Sequence, residues 1–188
     1  MKKGLLVLGV IAVFLFLWAI SAYNGLVTGN QSVDVQWAQV ETQYQRRFDL
    51  IPNLVESVKG VLKQEQTIFK DIADARSRYA GATTVDEKSA AATGVESSLG
   101  RLLVIMENYP ELKSDTTVVR LMDELAGTEN RIAVERKRFN ETVSEYNLKV
   151  IRFPGSLLAN LFGFKQRQFF QAQDGADTAP SVKLDITN

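Results

Sequence analysis

Apolar residues in the middle of the chain recur with the spacing of helices. Between residues 37 and 79 they repeat every seven positions in two interleaved sets, the pattern of a long helix packed at a shallow angle. The sets are Trp37, Tyr44, Ile51, Val58, Ile72 and Tyr79, and Phe48, Val55, Leu62 and Phe69. The pattern predicts one helix over residues 33–80 that ends near Gly81.

Two further stripes predict helices over residues 86–109 and 115–150, which end at Pro110 and at Phe153-Pro154-Gly155. A short element follows, with Ser156 as its cap. It either covers the end of the core, the interpretation we favour, or dips into lipid. No segment alternates with period two. The sequence therefore predicts an all-α fold: an antiparallel up-and-down bundle of three long helices plus a short fourth element, preceded by a transmembrane helix.

The transmembrane prediction rests on residues 4–23, which carry no charge and are wholly apolar up to Ile20. About 20 helical residues cross a hydrocarbon core of ~30 Å. A cleaved signal peptide is the alternative, but this run exceeds the apolar core of about 7–15 residues typical of such signals. With Lys2 and Lys3 before the span, the positive-inside rule places the N-terminus in the cytoplasm and the bundle outside.

This interpretation divides the chain into four parts. We predict an anchor over residues 1–23, a polar hinge over 24–32 and a helical bundle over 33–170. The polar residues 171–188 are predicted to be a disordered tail.

Composition restricts the chemistry. The 188 residues include no histidine and no cysteine, so the commonest general base, metal ligands and thiol nucleophiles are missing. The net charge is zero, whereas nucleic-acid binding needs a concentrated basic face. We therefore predict no enzyme, and no catalytic, cofactor or metal residues.

The predicted helix lengths leave part of the core without a partner. The first helix would be about 72 Å long and the second about 36 Å, so the seam from Trp37 to Ile51 lacks a neighbour from the second helix. Three solutions are open. The chain bends at Pro52, with Asp49 capping a new helix; the fourth element returns; or a second protomer covers the seam.

Charged residues interrupt the apolar seams at Glu65, Arg76, Glu129 and Arg136. With Arg101, the antiparallel register permits a buried network of Glu65, Arg101, Glu129 and Arg76 that fixes helix pairing. The alternative makes Glu65 and Glu129 a metal-binding pair or the acid and base of a carboxylate-only enzyme. Neighbouring arginines would lower the pKa of both carboxyls, which disfavours acid–base chemistry.

The segment Arg-Arg-Phe-Asp-Leu-Ile-Pro-Asn-Leu-Val-Glu-Ser-Val-Lys-Gly, residues 46–60, resembles the signature of the LemA family. The resemblance continues through Glu107-Asn108-Tyr109-Pro110, Glu129-Asn130-Arg131-Ile132-Ala133, Arg138-x-Asn140, Tyr146-Asn147, Phe153-Pro154 and Phe169-Phe170. Gln64 stands where the family often has histidine, and Phe139 where it often has tyrosine. The resemblance implies a single-pass membrane protein with a roughly four-helix up-and-down domain, and implies no activity.

The functional prediction is a structural or interaction protein, a scaffold or self-assembling module at the membrane. Its expected partners are the bilayer, through residues 4–23, a second copy of the chain, and other membrane or envelope proteins. Candidate structural or interaction residues are Arg46, Arg47, Asp49, Pro52, Asn53, Glu65, Arg76, Glu129 and Arg136. The first five lie in the family signature, which we interpret as a structural junction or assembly surface.

Overall fold

The computed structural model describes residues 2–170, and every regular element in that range is a helix. The predicted all-α bundle with an apolar N-terminal helix is confirmed. The helices are α1 (Lys2–Lys59), α2 (Gln66–Gly81), α3 (Val85–Met106), α4 (Pro110–Ser114), α5 (Thr116–Ile151) and α6 (Gly155–Phe162). The predicted tail, residues 171–188, lies outside the described residues.

Helix α1 is continuous through residues 24–32, so the polar hinge predicted there does not interrupt the helix. Leu26 and Gly29 are buried within this stretch, and Val33 is buried just after it. A Cβ atom added at Gly29 would lie 3.1 Å from the ring of Tyr146 in α5. The glycine thus lets two helices approach closely, and that packing keeps the backbone helical despite the low helix propensity of glycine.

The chain reverses after Lys59, not at Pro52. Pro52 lies inside α1 with its side chain exposed, and Asp49 caps no helix: its carboxylate accepts a hydrogen bond of 2.8 Å from the Gln45 amide. The turn spans residues 60–65, where the amide of Leu62 donates to the carbonyl of Val58 at 2.9 Å. The single helix predicted over residues 33–80 is therefore the second half of α1 followed by α2.

Because the chain reverses after Lys59, the apolar seam from Trp37 to Ile51 packs against other helices of the same chain. α1 pairs with α5, and α2 pairs with α3. The rings of Trp37 and Phe139 in α5 lie 5.3 Å apart, and Tyr79 of α2 lies 4.5 Å from Phe48 and 5.5 Å from Tyr44. The core from Trp37 to Ile51 is thus buried within one chain. Neither a bend at Pro52 nor a second protomer is needed to cover it.

Two helix starts are specified by local chemistry. Thr84 and Glu87 form a capping box at the start of α3, and Asp115 accepts hydrogen bonds from the amides of Thr117 and Val118 at the start of α5. α6 differs: the residue before it is Pro154, and the predicted cap, Ser156, lies inside the helix. Phe153-Pro154 is a cis peptide bond.

The chain returns toward the centre of the bundle after α6. Gly163 ends α6 with φ of 76°, the left-handed conformation that glycine adopts most readily. Residues 164–170, which we name the strap, then run without regular structure along α1 and α5, and end at the buried ring of Phe170. Part of the predicted return of the fourth element is therefore made by this strap.

Candidate functional site

Charged and hydroxyl side chains meet at mid-height in the bundle, in a group that we name the polar layer. α1 contributes Tyr44 and Arg47, α3 contributes Glu96, and α5 contributes Glu129 and Arg136. Three of these residues, Arg47, Glu129 and Arg136, were singled out from the sequence.

Arg47 is the most buried charge of the layer. Only 8% of it is exposed, and its guanidinium forms an ion pair with the carboxylate of Glu129. Burial lowers the pKa of Arg47. Its Nε is buried without a hydrogen-bond partner among residues 2–170. An arginine held this way needs its carboxylate, because an uncompensated buried charge is costly.

Arg136 connects three helices and the strap. Its Nε donates a 3.0 Å hydrogen bond to the Tyr44 hydroxyl, and a terminal nitrogen pairs with Glu96. The guanidinium carbon also lies 4.5 Å from the ring centroid of Phe170, within the range of a cation–π contact. Burial raises the pKa of Tyr44 to about 12, so the phenol is neutral at pH 7. The planar fork of arginine suits this set of partners better than lysine would.

The predicted network of Glu65, Arg101, Glu129 and Arg76 does not form. Arg101 pairs with Asp71 at 3.4 Å, and Glu65 directly precedes α2 at the far end of the bundle. Arg76 is half-buried in α2, and Glu129 pairs with Arg47 instead. The register was predicted from a single long helix, and the turn at residues 60–65 changes it.

The same turn separates the two carboxylates of the alternative interpretation. Glu129 lies at the level of Arg47, and α1 continues for about 18 Å beyond that level before the turn that carries Glu65. The two carboxylates therefore share no site. Within the part of the chain that the structure describes, no group of three or more acidic side chains is placed to hold a metal ion.

The other signature residues lie on the outside of α1. Arg46, Asp49 and Asn53 recur at spacings of three and four, so they form one exposed stripe, and Pro52 lies beside it. We name Arg46, Asp49 and Asn53 the signature stripe. The signature thus has two faces: Arg47 points into the polar layer, and the stripe faces outward.

Two asparagines of α5 hold the strap. Asn147 bonds both backbone groups of Arg167, and Asn140 bonds both backbone groups of Phe170, over distances of 2.8–3.0 Å. Arg167 also pairs with Asp34 and reaches Asn30 of α1. The strap therefore joins α1 to α5 through backbone pairing and a charge contact.

The other end of α1 is suited to a membrane. It supplies the one helix, among the described residues, that is long and apolar enough to span a bilayer, and none of the apolar window is buried by protein. Tyr23 ends this region, and its ring lies 4.9 Å from Phe162 of α6 and 5.8 Å from Phe164.

The sequence pattern did not indicate the roles of Glu96, of the Tyr44 hydroxyl or of the two asparagines that hold the strap. Tyr44 was counted as an apolar seam residue, and Glu96 lies beside an apolar stripe without interrupting it. Asn140 and Asn147 were noted only as parts of motifs. Their spacing of seven residues, which places both on one face of a helix, was the available signal.

Comparison with known proteins agrees with this architecture. The model of the LemA family matches residues 36–184, and the chain belongs to the LemA family. Relatives include the magnetosome proteins MamQ 1 and MamQ 2 of Paramagnetospirillum magneticum, each 27% identical over 93% of this chain and 74% of the relative. Magnetosome protein MamQ of Magnetospirillum gryphiswaldense is 28% identical over 83% of this chain and 67% of its own length.

Proposed function

We propose that the chain is a single-pass membrane-anchored structural or interaction protein, without enzymatic activity, that presents its bundle on the extracytoplasmic side. One observation carries the proposal: the helix whose first third is apolar and unburied is also a central helix of the bundle. Anchor and domain therefore form one rigid body, which suits a protein that holds partners at a defined position on a membrane.

The dimensions support a presenting role. From Tyr23, at the predicted membrane surface, to Lys59 the helix extends about 54 Å. The signature stripe lies roughly 35–45 Å from Tyr23 along the helix. The side chains of the stripe are exposed, so packing inside the bundle does not explain why these residues belong to the family signature. We propose the stripe as the contact surface for a membrane or envelope protein or for a second copy.

The chemistry of the polar layer favours a structural role over catalysis. Both carboxylates of the layer are paired with guanidinium groups, and the neutral Tyr44 is bound by Arg136. Such pairs fix helix register. A carboxylate-only enzyme would need two carboxyls near one substrate, whereas Glu65 and Glu129 lie at different levels of the bundle.

Chemical crosslinking of the full chain in membranes tests the interaction role. Discrete higher species are expected, and charge reversal in the stripe, Arg46→Glu with Asp49→Arg, should remove them without changing the melting temperature. Lys137→Glu with Glu141→Arg, on the exposed face of α5, is the matched control and should leave the species intact. A chain that stays monomeric throughout would overturn the proposal.

Catalysis has its own test. Glu65→Gln and Glu129→Gln would each abolish an acid–base activity if these carboxylates performed one. We expect Glu129→Gln to change stability and Glu65→Gln to change little. An activity of the purified chain that is lost in either variant at unchanged stability would contradict the non-enzymatic role.

Orientation can be tested separately, because the chain has no cysteine. A single cysteine at Val104, which is exposed near the distal end of the bundle, should react with a membrane-impermeant maleimide in intact cells. Reaction only after lysis would place the bundle in the cytoplasm.

A further inference from the structure

The outward face of α6 is apolar and uncovered. Leu157 and Leu161, one helical turn apart, are 62% and 74% exposed, and Phe153 just before the helix is 79% exposed. The opposite side of α6 is already packed, with Ala159 buried and Leu158 half-buried. α6 contains no charged residue. A packed inner side with an apolar outer side is unusual for a helix in water, because such helices normally turn a polar face outward.

The position of α6 indicates what covers this face. The ring of Phe162 contacts Tyr23, at the residue where the uncharged, apolar stretch of α1 ends. If residues 4–23 span the hydrocarbon core, α6 lies beside α1 at the boundary between lipid tails and headgroups. A bilayer must begin there to solvate the spanning helix. The outward face of α6 therefore meets lipid even when no other protein is bound.

A cavity next to α6 has the composition of a lipid contact. It is an open cleft of about 550 Å³ between α1 and the end of α5, with Gly25, Leu26 and Phe153 in its apolar lining. Lys149 and Arg152 line it too, with Glu145. Neither cation forms a salt bridge to another residue in the part of the chain that the structure describes. Cations at this depth favour the phosphates of lipid headgroups.

We propose that Phe153 and α6 form an interfacial membrane-binding element: the outward face of the helix lies in the bilayer surface, with Lys149 and Arg152 facing headgroup phosphates. The chain would thus contact the membrane twice, through the span and through α6, as interfacial amphipathic segments do. Two contacts fix the tilt and rotation of the bundle, which a single span leaves free. This inference rests on the proposed anchor.

The test uses the full chain in vesicles of phosphatidylcholine and phosphatidylglycerol, with single cysteines carrying an environment-sensitive fluorophore. Leu157→Cys and Leu161→Cys probe α6. Leu15→Cys, in the spanning region, and Val104→Cys, at the distal end, are the references; all four positions are exposed on the protein. Quenchers attached to lipid acyl chains and aqueous iodide report which phase each label occupies. Circular dichroism verifies that each variant is helical.

We expect the labels at positions 157 and 161 to emit at shorter wavelength than the label at 104. Lipid-borne quenchers should reduce their intensity as they reduce that of the label at 15, and iodide should have little effect. If 15 behaves as lipid-exposed while 157 and 161 behave like 104, the inference is wrong and the anchor stands. If 15 is itself accessible to iodide, the anchor fails. Labels at 157 and 161 shielded from both quenchers would indicate a protein partner and also overturn the inference.

Discussion

The side chain of Asn147 pairs with the backbone of Arg167 through two hydrogen bonds: Nδ2 donates to the carbonyl oxygen at 2.9 Å, and Oδ1 accepts from the amide at 2.8 Å. Asn140 repeats the arrangement with Phe170. The spacings match, because seven residues of helix rise about 10 Å and three extended residues also span about 10 Å. The two asparagines of α5 thus fix the position of the strap along the helix. We name this pair of side-chain-to-backbone contacts the asparagine ladder.

Replacing Asn147 by alanine should therefore destabilise the bundle. Both backbone groups of Arg167 lose their partner at a half-buried site, and we expect a loss of roughly 2 kcal/mol in the free energy of unfolding. Chemical denaturation of the full chain in detergent measures it. Asn130→Ala, an exposed change in the same helix, is the control and should be close to neutral. An equal loss of unfolding free energy in the two variants would contradict a stabilising role of the asparagine ladder.

The ion pair between Arg47 and Glu129 should show strong coupling. Glu129→Gln leaves the buried Arg47 without its counter-charge, so we expect a loss of about 1–3 kcal/mol, moderated because Glu129 is partly exposed. In a second pair of variants, the double change Arg47→Leu with Glu129→Leu should lose less unfolding free energy than the sum of the losses in the two single leucine variants. A double-mutant cycle measures this coupling, and additive single effects would show that the pair does not hold α1 to α5.

Tyr44 should make the bundle sensitive to high pH. Its folded pKa, about 12, lies above the ordinary value of 10, so the folded state binds the proton more tightly than the unfolded state. The contribution of the Tyr44 proton to the free energy of unfolding is fully present below pH 10. It is lost as the pH rises from 10 to 12, with a slope approaching about 1.4 kcal/mol per pH unit.

The variant Tyr44→Phe isolates that contribution. It cannot ionise, so its unfolding free energy should fall less steeply over the same pH window, although it is less stable at pH 8 because Arg136 loses an acceptor. Parallel pH curves for the two proteins would show that Tyr44 is not protected from ionisation. Tyr79, whose pKa burial also raises, contributes to the pH dependence of both proteins.

Gly155 should be intolerant of a side chain. A Cβ atom there would lie 2.5 Å from the backbone carbonyl oxygen of Lys149, so α6 must move away from the end of α5. We expect Gly155→Ala to lower the melting temperature. Gly100→Ala, in an open, exposed position of α3, should instead raise stability by about 0.5–1 kcal/mol. Opposite signs of the two changes are the expected result, and two stabilised proteins would contradict the close packing of α6.

The sequence predicted the helices and most of the core, because apolar spacing reports directly which residues are buried. It did not reveal the reversal at residues 60–65. Val55, Leu62 and Phe69 keep the seven-residue spacing across the turn, and all three are buried or half-buried. Periodicity continues whether the chain goes straight on or folds back, since both arrangements present the same side chains to a core.

The polar layer was only partly predictable for a related reason. Charged interruptions of a seam mark residues that need partners, and this identified Glu129 and Arg136, whereas Arg47 was a candidate only through the family signature. Partner choice depends on the register between helices, which the undetected turn altered. At residues 24–32 the sequence predicted a break that the structure does not have. Asn24, Gly25 and Gly29 are typical of loops, but the close packing of Gly29 on Tyr146 keeps this segment helical.

A rigid α1 that runs from the membrane into the bundle is the basis of the proposed function. Spin labels at Leu15→Cys and Val35→Cys, both exposed positions on this helix, allow electron–electron distance measurement in lipid nanodiscs. A continuous helix places the two positions roughly 30 Å apart, and we expect a single narrow distribution near that distance. A broad distribution extending to short distances would show a hinge at residues 24–32 and contradict the rigid coupling of anchor and bundle.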